Sequence, residues 1–108
     1  MIILVVDDEP QIRKLLTTGL GGYGHEVLAA ANATEALALA AQRRPDAVVL
    51  DVNLGQGTDG LEVCRRLREW STVPIIMLSV RGDESIKVQA LDAGADDYLS
   101  KPFGMEEL

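Results

Sequence analysis

Ile2-Ile3-Leu4-Val5-Val6-Asp7-Asp8-Glu9-Pro10 opens the chain with five apolar residues, four of them β-branched, that run straight into carboxylates. The pattern recurs: Ala47 to Leu50 ends on Asp51, Ile75 to Leu78 ends on Ser79, and a short apolar stretch near the end of the chain leads to Lys101-Pro102. Continuous apolar runs of this length read as parallel strands buried on both faces. Open α/β sheets place their ligands at the C-terminal ends of such strands, so these polar groups are expected to converge at one edge. Two unit charges about 4 Å apart repel by roughly 4 kcal/mol at an effective dielectric near 20. Clustered carboxylates therefore call for positive charge, from Lys101 and from a hard divalent cation with oxygen ligands, Mg2+ being the usual one beside phosphate.

The stretches between the runs have helical period: Ile12, Leu15, Leu16 and Leu20; Ala36, Leu37 and Ala40; Leu61, Cys64 and Leu67; Ile86, Ala90 and Ala93. Strands are predicted near 2–6, 25–30, 46–50, 74–78 and 97–99, with helices starting near Pro10, Ala33, Gly60 and Asp83, and Gly94 following the fourth. This alternation predicts an α/β fold, a parallel sheet covered on both faces and connected by right-handed crossovers. At 108 residues and 47% hydrophobic composition the chain makes one domain. Its net charge of -7 argues against nucleic acid or an anionic membrane as a direct partner. Lone Cys64 cannot form an internal disulfide, and no apolar run approaches the roughly 18 residues of a membrane span, so a cytoplasmic location is expected.

Gly19-Leu20-Gly21-Gly22-Tyr23-Gly24 matches the G-x-G-x-x-G dinucleotide pattern, but in the wrong place. The fingerprint follows the first strand and opens a helix, whereas these glycines end the first helix and read as stop and turn residues. Asp7-Asp8-Glu9 would repel a nucleotide phosphate. A phosphatase with a strand-end aspartate nucleophile needs a second carboxylate two residues on, where Asp51 is followed by Asn53, and 108 residues leave no room for cap insertions. Cys64 and Trp70 are expected to pack in the core, His25 opens a strand, and the pairs Arg43-Arg44 and Arg65-Arg66 read as solvated helix faces.

Val6-Asp7-Asp8-Glu9, Asp51, Ser79, Gly94-Ala95-Asp96-Asp97-Tyr98 and Lys101-Pro102-Phe103 together resemble the receiver domain of two-component response regulators, over the whole chain. Gly94 to Phe103 is similar to the subfamily whose receivers precede a winged-helix DNA-binding domain, and Leu99 to Gly104 looks most like its potassium-transport regulators. The resemblance implies a flavodoxin-like (CheY-like) doubly wound sheet with strand order 2-1-3-4-5. It implies a phosphorylation-dependent switch rather than an enzyme acting on a separate substrate. Asp51 would accept a phosphoryl group from a sensor histidine kinase, a carboxylate being anionic at neutral pH without a general base. Asp8, Asp51 and the main-chain carbonyl of Asn53 would ligate Mg2+, with Asp7 acting through water or by orienting the site. Lys101 would share the transition-state charge, and Ser79 and Tyr98 would carry the switch. Lys87, Asp96 and Asp97 would pair across a homodimer on the face of the fourth helix, fifth strand and fifth helix. DNA would be reached only through an effector domain outside this chain. A phosphorylation-independent interaction module of the same fold is the alternative, disfavoured by Asp8, Asp51, Ser79 and Lys101 all being present.

The chain departs from the family pattern in two places. The loop from Leu54 to Asp59 is one residue longer and richer in glycine, with Gly60 nine residues after Asp51, so a mobile loop and a weaker metal site are expected. The sequence stops at Leu108, where a fifth helix would only be beginning, so a truncated receiver is expected. The resemblance also implies a tuning role for Arg81 in dephosphorylation and a cis Lys101-Pro102 bond.

Overall fold

The protein is described by a computed structural model that covers residues 1–54, 59–80 and 84–101. Among the described residues nine elements alternate: β1 (Ile2–Val6), α1 (Pro10–Gly21), β2 (Glu26–Ala30), α2 (Ala33–Arg43), β3 (Ala47–Asp51), α3 (Asp59–Arg68), β4 (Ile75–Val80), α4 (Glu84–Asp92) and β5 (Asp97–Lys101). All four strand pairings are parallel, in the order β2-β1-β3-β4-β5. This is the doubly wound sheet that the alternating runs imply. The loop before α3, Arg81 to Asp83 and everything after Lys101 fall outside the described residues, and with them the expectations about loop mobility, Arg81, the Lys101-Pro102 bond and the fifth helix.

Strand alternation sorts each apolar run onto both faces of the sheet. Leu4, Val6, Val48, Leu50, Ile75 and Met77 point into a large core under α2, α3 and α4, whereas Ile3, Val5, Val49 and Leu78 join Leu16 and Leu20 of α1 in a smaller one. Burial on both sides is why the strands lack polar alternation. Pro10 stands at the start of α1, where its missing N–H costs no helix bond. At α2 the Asn32 side chain accepts from Glu35 N at 2.9 Å while Glu35 Oε1 accepts from Ala31 N at 2.8 Å. This reciprocal cap resembles a capping box and fixes the start of α2. The run Gly19 to Gly24 does end a helix: α1 stops at Gly21 and Gly24 takes φ +90°.

Two expectations of burial fail. Leu15 is 49% exposed, because Ile12, Leu16 and Leu20 already form the inward stripe and Leu15 lies off it. Trp70 is 53% exposed: α3 ends at Arg68, so the helical phase that would have turned the indole inward no longer applies. Cys64 is buried as expected, and burial pushes its thiol pKa up, opposed by the smaller effect of Arg68, leaving it an unreactive core residue.

Arg68 ties the lower part of the sheet together. Its Nε donates to the Gly94 carbonyl at 2.8 Å, Nη1 to the Val73 carbonyl at 2.6 Å and Nη2 to Asp96 Oδ2 at 2.7 Å, and the same carboxylate oxygen accepts from Ile75 N at 2.8 Å. One guanidinium thus joins the end of α3, the entry to β4 and the turn into β5. Gly94, at φ +110°, lets the side chain pass, since a Cβ there would lie 2.6 Å from Arg68 Cγ. Arg68→Ala is expected to lower the free energy of unfolding by about 2 to 3 kcal/mol, measured by urea denaturation, because it strips several charge-assisted bonds at once.

Candidate functional site

Register brings the candidate residues to one edge. Val6 pairs with Leu50 and Asp51 pairs with Leu78, so Asp7 and Asp51 come level at the ends of neighbouring strands and Ser79 lies one residue beyond them on the next, with Lys101 closing β5 opposite Val80. The edge lies where crossovers from β1 and β3 leave in opposite directions, the position at which this architecture leaves a crevice. Asp7 and Asp51 are buried, Ser79 is buried and Asp8 is exposed. One carboxylate oxygen from each of Asp7, Asp8 and Asp51 lies within 4.8 Å of the others. The Lys101 side chain lies outside the described residues, so only its strand position is placed.

The loop after β1 is held from several sides. Asp7 N donates to the Ala30 carbonyl at 3.1 Å, and Asp7 Oδ1 accepts from Glu9 N at 2.9 Å. Arg13, one turn into α1, donates from Nη1 to the Asp7 carbonyl at 2.8 Å. Its contribution is not visible in the sequence, where Arg13 looks like any helix-surface cation. Asp51 Oδ1 accepts from Asn53 N at 3.3 Å, which turns the chain sharply after β3 and leaves the exposed Asn53 beside the cluster.

Gly60, which the sequence marks as a helix start and as the glycine nine residues after Asp51, is a packing requirement. A Cβ there would lie 2.0 Å from the Asp51 carbonyl oxygen and 2.8 Å from the Val52 Cα, and Gly60 N donates to the Val52 carbonyl at 3.0 Å. The first turn of α3 therefore rests directly on the backbone that presents Asp51. No sequence spacing announces such a contact, because it depends on how closely α3 approaches β3.

The residues proposed for switching and pairing are placed as follows. Tyr98 is half-buried against the large core, and its hydroxyl is buried with no partner among the described residues. Lys87 and Asp97 are exposed. Asp96 is committed within the chain to Arg68 and to Ile75 N.

Three oxygens this close, two of them on buried side chains, fit a hard divalent cation: carboxylates are its preferred ligands and their mutual repulsion is what it relieves. A strand-end carboxylate beside such a cluster can act as a nucleophile toward phosphorus. The chain matches the response regulator receiver domain over residues 3–108. It belongs to that family. The receiver is 54% identical over 106 residues to the KDP operon transcriptional regulatory protein KdpE of Escherichia coli, covering 98% of this chain and 47% of the relative. It is 52% identical over 107 residues to the response regulator MprA of a Mycobacterium species, with 98% and 46% covered. These relatives agree with the winged-helix-effector subfamily and with its potassium-transport regulators. The chain spans about half the length of the curated relatives it matches. Among solved structures it is similar to a putative response regulator from Chloroflexus aurantiacus (TM-score 0.92, 41% identity, covering 98% of this chain and 88% of that one). It is likewise similar to the receiver domain of TorR, the TMAO respiratory system response regulator (TM-score 0.90, 34% identity, covering 98% and 88%). No described helix is long and apolar enough to cross a membrane.

Two variants test the site. Asp8→Asn removes one of three repelling charges, so it is expected to raise stability in chelator-treated protein by about 1 kcal/mol and to weaken Mg2+ binding, read by thermal melts with and without the metal. Gly60→Ala is expected to cost about 2 to 3 kcal/mol in urea denaturation, since backbone rather than a flexible side chain must give way.

Proposed function

We propose that the receiver is a phosphorylation-dependent signalling switch in which Asp51 accepts a phosphoryl group from a sensor histidine kinase. The observation that carries this reading is the convergence of the Asp7, Asp8 and Asp51 carboxylates within 4.8 Å at the sheet edge. Asp8, Asp51 and the Asn53 carbonyl would hold Mg2+, with Asp7 orienting the site from its buried position. The ion's chemistry there is to offset negative charge on the carboxylates and on the incoming phosphoryl oxygens. An Asp51 carboxylate oxygen bonds to phosphorus as the bond from phosphorus to the kinase imidazole breaks, the electron pair returning to the imidazole. The product is an acyl phosphate on Asp51. Lys101, at the end of β5, supplies a second cation for the equatorial oxygens.

The acyl phosphate is a strong acceptor, and Ser79, one residue beyond the level of Asp51, is the hydroxyl that would reach for it. Tyr98 lies two strand positions away and already packs against the core, so a small shift of the β4 end changes the room available to its ring. A ligand biases an equilibrium only through differential interaction, and the differences here are the Ser79 contact, the Lys101 pair and the burial of Tyr98. The output is pairing of two copies through the face of α4, β5 and the segment that follows, where Lys87 and Asp97 are exposed and Asp96 is already engaged by Arg68. Transcriptional control would then pass through an effector domain outside this chain, in the cytoplasm.

Incubation with acetyl phosphate and Mg2+, followed by intact mass, tests the reading. A single labile phosphoryl adduct is expected, absent in Asp51→Asn and absent in EDTA. No adduct on the parent protein would favour a phosphorylation-independent interaction module instead.

A further inference from the structure

A groove of about 480 Å³ at the edge of the sheet opposite the acidic cluster is left unused by phosphoryl transfer. It lies between the C-terminal ends of α2 and α3 and the segments entering β3 and β4, walled by Ala40, Arg44, Pro45, Leu67, Trp70 and Val73. Trp70, the sole tryptophan, stands 53% exposed against this apolar floor. Arg44 is the one described non-glycine residue with positive φ, at +46°, where glycine would be free of steric cost. Arg44 forms the left-handed C-cap of α2, its N–H donating to the Ala40 carbonyl at 3.1 Å, at the wall of the groove.

Charge completes the pattern. Arg43 pairs with Glu26, Arg65 and Arg66 with Glu62, and Arg68 with Asp96, but Arg44 has no carboxylate partner among the described residues and is exposed. Tryptophan and arginine are the side chains most enriched where proteins anchor partners. We propose that this groove docks an acidic peptide segment of a partner protein, an apolar anchor side chain entering against Trp70, Leu67 and Pro45 while a neighbouring carboxylate pairs with Arg44. The net charge of -7 does not forbid this: charges beyond about 8 to 10 Å are screened at physiological ionic strength, Arg44 is the charged residue that lines the groove, and of the neighbouring acids Asp46 is engaged by Ile2 N while Glu69 stands outside the lining. Docking at this edge leaves the Asp51 edge open, so the inference stands whether or not Asp51 is phosphorylated.

Three end-blocked hexapeptides that share a central Leu-Phe anchor and carry glutamate, lysine or serine on both sides test it, titrated into the 15N-labelled chain. The indole N–H signal of the sole tryptophan reports on the groove. The glutamate peptide is expected to shift that signal with roughly tenfold tighter binding than the serine peptide, and the lysine peptide to bind most weakly. Arg44→Glu should reverse the order of the glutamate and lysine peptides. Arg44→Gly should lose the tenfold preference while keeping a melting temperature at or above that of the parent, which separates lost recognition from lost structure. Equal binding of all three peptides, no shift of the indole signal, or no reversal in Arg44→Glu would overturn the proposal. Phenylacetate giving the same shift at the same concentration would also overturn it, by making the groove a small-molecule site.

Discussion

The repulsion among the carboxylates of Asp7, Asp8 and Asp51 is the constraint around which this domain is arranged. Three negative groups share a space of a few ångströms, two of them on buried side chains, at the end of strands that are otherwise wholly apolar. Nothing in a flexible chain would keep them together. The parallel register of β1 with β3 holds the backbone that carries Asp7 and Asp51 side by side. The strain is local and the restraint is distributed over two hydrophobic cores.

That arrangement explains why contacts which look merely structural bear on chemistry. Arg13 fixes the carbonyl of Asp7, Glu9 N fixes its carboxylate, and Gly60 allows α3 to sit on the backbone of Asp51. Each limits how far a carboxylate can relax from its neighbours. A site held in tension of this kind is stabilised whenever positive charge enters it. At the other edge, the Arg68 clamp joins α3, the entry to β4 and the turn into β5 through one guanidinium.

Much of this was legible before any coordinates. Uninterrupted apolar runs name buried parallel strands, and the residue after each run is at the sheet's ligand edge by topology alone, which is why Asp7, Asp51 and Ser79 could be picked out. What misled was phase at helix ends. Leu15 and Trp70 share the spacing of core residues, but burial depends on which stripe the sheet covers and on where the helix stops, and α3 stops two residues before Trp70. Asp96 reads as a surface acid beside Asp97, yet its neighbour in space is Arg68, which lies 28 positions away in the sequence.

The sequence by itself determined the order of elements, the two-sided burial of the strands and the chemical types gathered at their ends, because those follow from hydrophobic period and from chain direction. Only the tertiary structure decided which charges are within reach of one another, that Gly60 must lack a side chain, that Arg13 and Arg68 act as backbone clamps, and that Arg44 and Trp70 border an open groove. Such facts depend on the distance of approach between elements distant in the chain, and no local pattern of residues encodes that distance.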